Sequence, residues 1–260
     1  MNYYAILKWY QLENITDVIG EVTVDRFKLF KETVQNTTLK PQQNIQKEEK
    51  QNKTDPALSI VSQAENLSQQ AQNLEDLHNR ISSFDGCSLK KTSLHTFVGV
   101  GNTNKPRVFC VFDAPKAQAD KTGNLFDGPN GNLLQKMLAS INLSTDNCYV
   151  APLIPWRLPG DRKPTQTEEL ISLPFLKKQI EFINPDFILI FGAVATKNLL
   201  NIESISKARQ QNLFIEVNGA KKQVVTTFGP EMVSISQVSR KNAWDDLKKL
   251  AQLIQEKDVN

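Results

Sequence analysis

The stretch VFCVFDAPKAQADKTGNLFDGPNGNLLQKM, from Val108 to Met137, decides the fold. Val108, Phe109, Val111 and Phe112 form a nearly continuous apolar run between Pro106 and Pro115, the pattern of a strand buried on both faces of a parallel sheet. Asp113 and Asp120 follow on a loop, and Gly123, Gly128 and Gly131 are spaced through it, where backbone can approach another group closely. Leu133, Leu134, Met137, Leu138 and Ile141 then recur at helical spacing. The order strand, acidic loop, helix places the acids at the carboxyl edge of a sheet, where open α/β folds collect ligands. Taken alone, the same residues describe an ordinary βα unit with a solvated loop equally well.

Working outward, apolar runs near Val150, Ile188 and Val225 predict three further strands, and the segments near Leu134, Leu176, Ala195 and Leu247 predict helices between and after them. Such alternation argues for an α/β fold with a central, mostly parallel sheet covered on both faces. Thr165 and Glu168 have the spacing of a helix N-cap and the reciprocal acid of a capping box. The run NPDFILIFG ends a strand at Gly192 and leads into AVATKNLL, a tight strand-to-helix turn that suits either close packing or a phosphate. Towards the N-terminus, residues 1–30 mix apolar and polar positions as a helical extension would. Residues 31–56 are rich in Gln, Asn, Lys and Glu and read as a flexible polar linker. Residues 57–81 read as one polar helix, and residues 82–255 as the compact domain.

The net charge of +3 does not force a nucleic-acid partner, so any such site must be a local patch. Cys87, Cys110 and Cys148 are an odd number without regular spacing, which fits a reduced, cytoplasmic protein. No run is apolar for long enough to span a bilayer, and no export leader is recognisable. The expectation is a soluble monomer that does not engage membranes.

Several motifs together resemble the family 4 type of uracil-DNA glycosylase. That family runs approximately G-E-A-P-G, then E-D, then G-x-P-F-x-G and G-x-L-L. This chain has Phe112-Asp113-Ala114-Pro115-Lys116, Ala119-Asp120, Gly123 to Phe126, and Gly131 to Leu134. The family's R-P-P-G-N-R-x-P, with a Glu shortly after, is matched by Arg157 to Pro164 and Glu168. The segment VVTTFGPEMVSISQVSRKNAWDDLKKL is similar to the family's H-P-S-Y-L-L and its trailing K-x-x-x-W-x-D-L, with Arg240, Trp244, Asp246 and Leu247 retained. The opening ILKWYQLENITDVIGEVTVDRF looks like an extension found in the alphaproteobacterial branch.

The resemblance implies a three-layer α/β/α domain that extrudes a uracil nucleotide from single- or double-stranded DNA and hydrolyses its N-glycosidic bond in base excision repair. Such chemistry needs a base pocket, an aromatic face, polar groups for the base edge and stabilisation of the leaving anion. By position, Phe126 is the stacking ring, Asp113 and Asp120 are the acids that position water, and Gln118 stands where the family often has an acid. Phe112, Ala114, Pro152 and Gly229 complete the expected uracil pocket, so Asp113, Phe126, Pro152 and Gly229 should converge on one hollow. Arg157, Arg162, Lys163, Arg240 and Lys241 are the expected phosphate contacts.

Two family groups are replaced. The Asn that reads the uracil edge falls at Pro152, and the His that donates toward the leaving base falls at Gly229; His78 and His95 lie outside that motif. Main-chain groups around Ala114 and Gly229 would have to supply the missing donors. The family's four iron-sulfur cysteines fall at Phe84, Cys87, Trp156 and Ser172, and one thiolate cannot hold a cluster that needs four, so no metal or other cofactor is expected. Two readings follow: a divergent, slow glycosylase, or an inactive relative that binds DNA or damaged bases. An unrelated small-molecule α/β enzyme is a third, which the ordered motifs disfavour.

Overall fold

The computed structural model describes residues 56–259. The helical extension expected over residues 1–30 and the linker expected over 31–56 lie outside them, except that Pro56 itself opens a helix.

Among the described residues the sheet has six strands: β1 (Val100–Gly101), β2 (Val108–Phe112), β3 (Cys148–Pro152), β4 (Phe187–Phe191), β5 (Leu213–Val217) and β6 (Ala220–Thr227). Their order across the sheet is β1-β3-β2-β4-β6-β5. The four apolar runs read from the sequence are the central strands, and they pair parallel, with Cys110 opposite Val150 on one side and Leu189 on the other. The two edges, β1 and β5, are antiparallel additions that the apolar pattern did not announce. β5 joins β6 through Asn218 (φ 52°) and Gly219 (φ 75°), the left-handed pair that a two-residue hairpin requires.

Strand alternation assigns each side chain to one of two cores. Phe109, Val111, Tyr149, Ala151, Ile188 and Ile190 face the first core. It is closed by α1 (Pro56–Gln69), α2 (Leu74–Ser83), the short α3 (Ser88–Thr92) and α6 (Gln166–Ile183). Val108, Cys110, Cys148, Val150 and Leu189 face the second core, closed by α5 (Gly128–Ala139) and α10 (Gln237–Val259). The remaining described helices are α4 (Ala117–Thr122), α7 (Ala193–Leu200), which packs on β4, α8 (Ile205–Ala208), which packs on β6, and α9 (Pro230–Ile235). The result is the expected three-layer α/β/α arrangement. The three cysteines are free and buried.

Residues 57–81 are not one helix. The chain breaks after Gln69 and restarts at Leu74, because the Asn73 side chain accepts from Asp76 N and the Asp76 carboxylate accepts from Gln72 N; these bonds compete with continued helix. Ala64 on α1, and Leu77 and Ile81 on α2, are fully buried in the first core. Both helices therefore belong to the compact domain, which takes in residues ahead of 82. The capping box at Thr165 and Glu168 forms as the spacing predicts, with both reciprocal bonds present.

Candidate functional site

A cleft of about 300 Å³ opens at the carboxyl edge of β2, β4 and β6, a size at the lower end of small-ligand sites. Its walls come from the chain following each strand: Phe112 to Lys116 after β2, Phe191 to Val194 after β4, and Gly229 to Met232 after β6. The loop at Leu158 and Asp161 to Pro164 closes one side, and Leu125, Asp127 and Gly131 close another.

Asp113 lies in the cleft, half-buried just beyond β2. Its Oδ1 accepts from Ala195 N at 2.8 Å, in the first turn of α7, where the exposed amides and helix dipole favour an anion. Burial nevertheless dominates and pushes its carboxyl up to about 6, against the Ala195 and Val194 amides and the nearby Lys116, with Glu231 adding to the rise. Such a group is ionised at neutral pH and retains free lone pairs. The close approach depends on Gly192, whose φ is +104° and whose α-carbon faces the carboxylate.

Lys116, Arg162, Lys163 and Glu231 are charged residues on the cleft lining, and Arg157, Arg240 and Lys241 are not on it. Lys116, before α4, pairs with Glu231 in the first turn of α9, and both line the cleft. Arg162 also lines it but is held by Glu168 in a two-pronged pair, Nη2 to Oε1 at 2.6 Å and Nη1 to Oε2 at 2.9 Å. The guanidinium leads the influences that hold the Glu168 carboxyl below its ordinary range. Arg157 pairs with Asp161 at 3.4 Å and is not on the lining. Lys163 lines the cleft, is exposed, and has no ion pair among the described residues. Arg240 donates to Val233 O and Ser234 O in the last turn of α9, and Lys241 beside it is exposed.

Of the expected pocket, Phe112, Asp113, Ala114 and Gly229 meet at this cleft; Asp120, Gln118, Phe126 and Pro152 do not line it. Asp120 falls inside α4, which turns its side chain inward. There Oδ1 accepts from Ser93 Oγ, Leu94 N and His95 N. Burial pushes its carboxyl up, but these three donors outweigh burial and leave it below the ordinary range. It fastens the 93–95 segment. Gln118, on the exposed side of α4, stands over Gly128. Phe126 packs against the second core while its neighbours Leu125 and Asp127 reach the cleft. Pro152 is buried at the end of β3, opposite Phe112. The expected four-way convergence is thus a two-way one, with Phe112 as the ring closest to Asp113 in the chain. Lys116 and Glu231 have no place among the expected site residues. An ion pair between distant loops leaves no trace in local sequence, whereas Gly192 at a strand end was visible as a tight turn.

Phe84, Cys87 and Trp156 are buried in the first core, and Ser172 is buried on α6. The Phe84 and Trp156 rings stack with centroids 6.3 Å apart, Phe84 meets Phe175 edge-on at 5.4 Å, and Trp156 Nε1 donates to Thr96 Oγ1. Ser172 Oγ is buried with no partner, and burial raises the Cys87 thiol. With one sulfur, two aromatic rings and a hydroxyl at the four positions, the residues present do not fit a four-thiolate cluster.

The family model described as the uracil DNA glycosylase superfamily matches residues 98–248. The Type-4 uracil-DNA glycosylase of Archaeoglobus fulgidus is 33% identical over 187 residues, covering 70% of this chain and 94% of that protein. The protein of the same name from Thermotoga maritima is 31% identical over 183 residues, with the same two coverages of 70% and 94%. That from Saccharolobus solfataricus is 28% identical over 193 residues, covering 72% and 89%.

Proposed function

The chain belongs to the uracil DNA glycosylase superfamily, and from that premise we propose that it hydrolyses the N-glycosidic bond of uracil in DNA, as a step of base excision repair. One observation carries the reading: a carboxylate pushed up to about 6 stands in the cleft at the carboxyl edge of the parallel strands, oriented by the N-terminus of α7. An ionised acid so placed can orient a water towards C1′ and take up its proton. Phe112 offers the flipped base an aromatic face, and backbone around Ala114 and Gly229 offers polar groups for its edge. Gly229 and Pro152 bring no side-chain donor, and each missing donor to a developing anion typically slows such chemistry by about a hundredfold or more. The enzyme is therefore slow.

Substrate is held through its phosphates by Lys163 at the cleft and by the exposed Lys241 on α10, while Arg157, Arg162 and Arg240 are largely committed to internal bonds. The residue set at the four cluster positions supports catalysis without iron or another cofactor. Three free buried thiols support a reducing, cytoplasmic setting. Among the described residues no helix is long and apolar enough to cross a membrane.

The loss of side-chain donors at Pro152 and Gly229 also favours a second reading, a DNA-binding relative without turnover. Incubation with uracil-containing single strand and duplex, followed by alkaline scission of abasic sites, separates the two. Scission absent from an Asp113→Asn control supports the enzyme; a gel shift without scission supports the binder.

A further inference from the structure

We propose that the Lys116 ammonium is the catalytic electrophile of this cleft, the group that takes up the charge developing on the departing base in place of a side chain at Gly229. The inference rests on the glycosylase reading above. Of the three cations lining the cleft, Lys163 is exposed and belongs to the outer loop, and the other two differ in what holds them. Arg162 is bound on two edges by Glu168, whose side chain is only 8% exposed, so its guanidinium is fixed to α6 and not free to move. Lys116 is bound by one carboxylate, Glu231, which also lines the cleft and is more than half exposed. A lysine offers three donors from one nitrogen, so pairing with Glu231 leaves two for a substrate oxygen.

Placement favours that use. Lys116 follows Asp113 by three residues across Ala114 and Pro115, and Glu231 follows Gly229 by two across Pro230. The ion pair thus bridges the two loops expected to grip the base, and both charges are close enough to Asp113 to act on its carboxyl. The general base and the cation flank one hollow, as a reaction that generates positive character at the sugar and negative character on the base requires. In the step, the C1′–N1 bond breaks with its electron pair leaving on uracil, where charge spreads to the ring oxygens. Water forms the new C1′–O bond and its proton passes to the Asp113 carboxylate. Lys116 keeps its proton and donates hydrogen bonds to a uracil oxygen, and the released anion is protonated by solvent. Glu231 is a positioning residue, holding the ammonium over the cleft.

Single-turnover excision from a uracil-containing single strand, beside the same strand carrying 5-fluorouracil, tests this with the full chain. The fluorinated base departs more readily as an anion and needs less help. Lys116→Met is expected to slow uracil release by about a hundredfold or more, with DNA affinity changed only a few-fold, and to slow 5-fluorouracil release much less. Lys116→Arg should recover part of the rate. Glu231→Gln should lower the rate alone but add nothing in the Lys116→Met background. Circular dichroism of each variant shows whether it folds. A folded Lys116→Met that releases uracil within threefold of the parent, or is slowed equally on both bases, overturns the assignment while leaving the glycosylase reading intact. A parent protein that releases neither base overturns both.

Discussion

A β-carbon built on Gly192 would lie 2.6 Å from Oδ2 of Asp113. The glycine is therefore the condition for the acid's position: its φ of +104° is also one that residues with side chains rarely adopt. Gly192→Ala should cost roughly 1–3 kcal/mol of stability from backbone strain alone and should displace the carboxylate from the α7 amides. Chemical denaturation and excision assays on the same preparation check both effects; an alanine variant as active as the parent would contradict this coupling.

Asp113 also sets a pH signature. Its folded-state value near 6 exceeds the ordinary 3.8, so between those values the folded protein holds a proton that the unfolded chain has released. This group's contribution therefore favours folding increasingly as pH falls from about 6 towards 3.8, and disfavours it above 6. Asp113→Asn should remove that trend from a pH series of denaturation midpoints. Excision runs the other way, rising as pH climbs through about 6 because the base must be ionised. A flat rate between pH 5 and pH 7.5 would exclude Asp113 as the base.

The two phenylalanines can be told apart. Both pack on the second core, but only Phe112 also lines the cleft. Phe112→Ala should weaken capture of the flipped base by about 1–3 kcal/mol, the usual worth of a stacking contact. Phe126→Ala should instead lower the denaturation midpoint with little effect on excision per folded molecule. The reverse pattern would move the base pocket to the far side of Leu125.

Arg162 and Lys163 are neighbours with different work. Glu168→Ala removes the charge-assisted bonds to Arg162 and the capping box of α6, and should destabilise by about 2 kcal/mol. Lys163→Ala should leave stability unchanged, weaken DNA binding for every sequence, and reduce the salt slope by about one. Titrations of a labelled strand at several salt concentrations measure it.

At the four cluster positions, Trp156 is fully buried and ring-stacked. Trp156→Ala should cost about 3–5 kcal/mol as a core cavity. Protein purified without oxygen should contain far less than one iron per chain, and stoichiometric iron would contradict the absence of a cluster.

The central strands were legible because each is an unbroken apolar run, and parallel strands buried on both faces need nothing else. The edges were harder. β1 has only two residues, too few for any period, whereas β5 was announced by the Asn218-Gly219 hairpin signal and overlooked because Phe214 and Glu216 are exposed and polar residues interrupt the run. The break between α1 and α2 carries neither glycine nor proline; only Asn73, three residues before Asp76, marks it. At the site, Asp113 was readable from the end of β2. Asp120 misled because an acid in a glycine-spaced segment looks solvated until the fold supplies the 93–95 backbone as its partner. The Lys116–Glu231 bridge joins loops more than a hundred residues apart in the chain, and no local pattern encodes such a meeting.

The double tether between Arg162 and Glu168 has a kinetic meaning. The loop carrying Lys163 is tied to the first turn of α6 before anything binds, so a nucleic-acid strand meets a surface already in its final shape. Docking then needs little rearrangement on that side, little conformational freedom is lost when contact is made, and encounters with DNA should be quick to form.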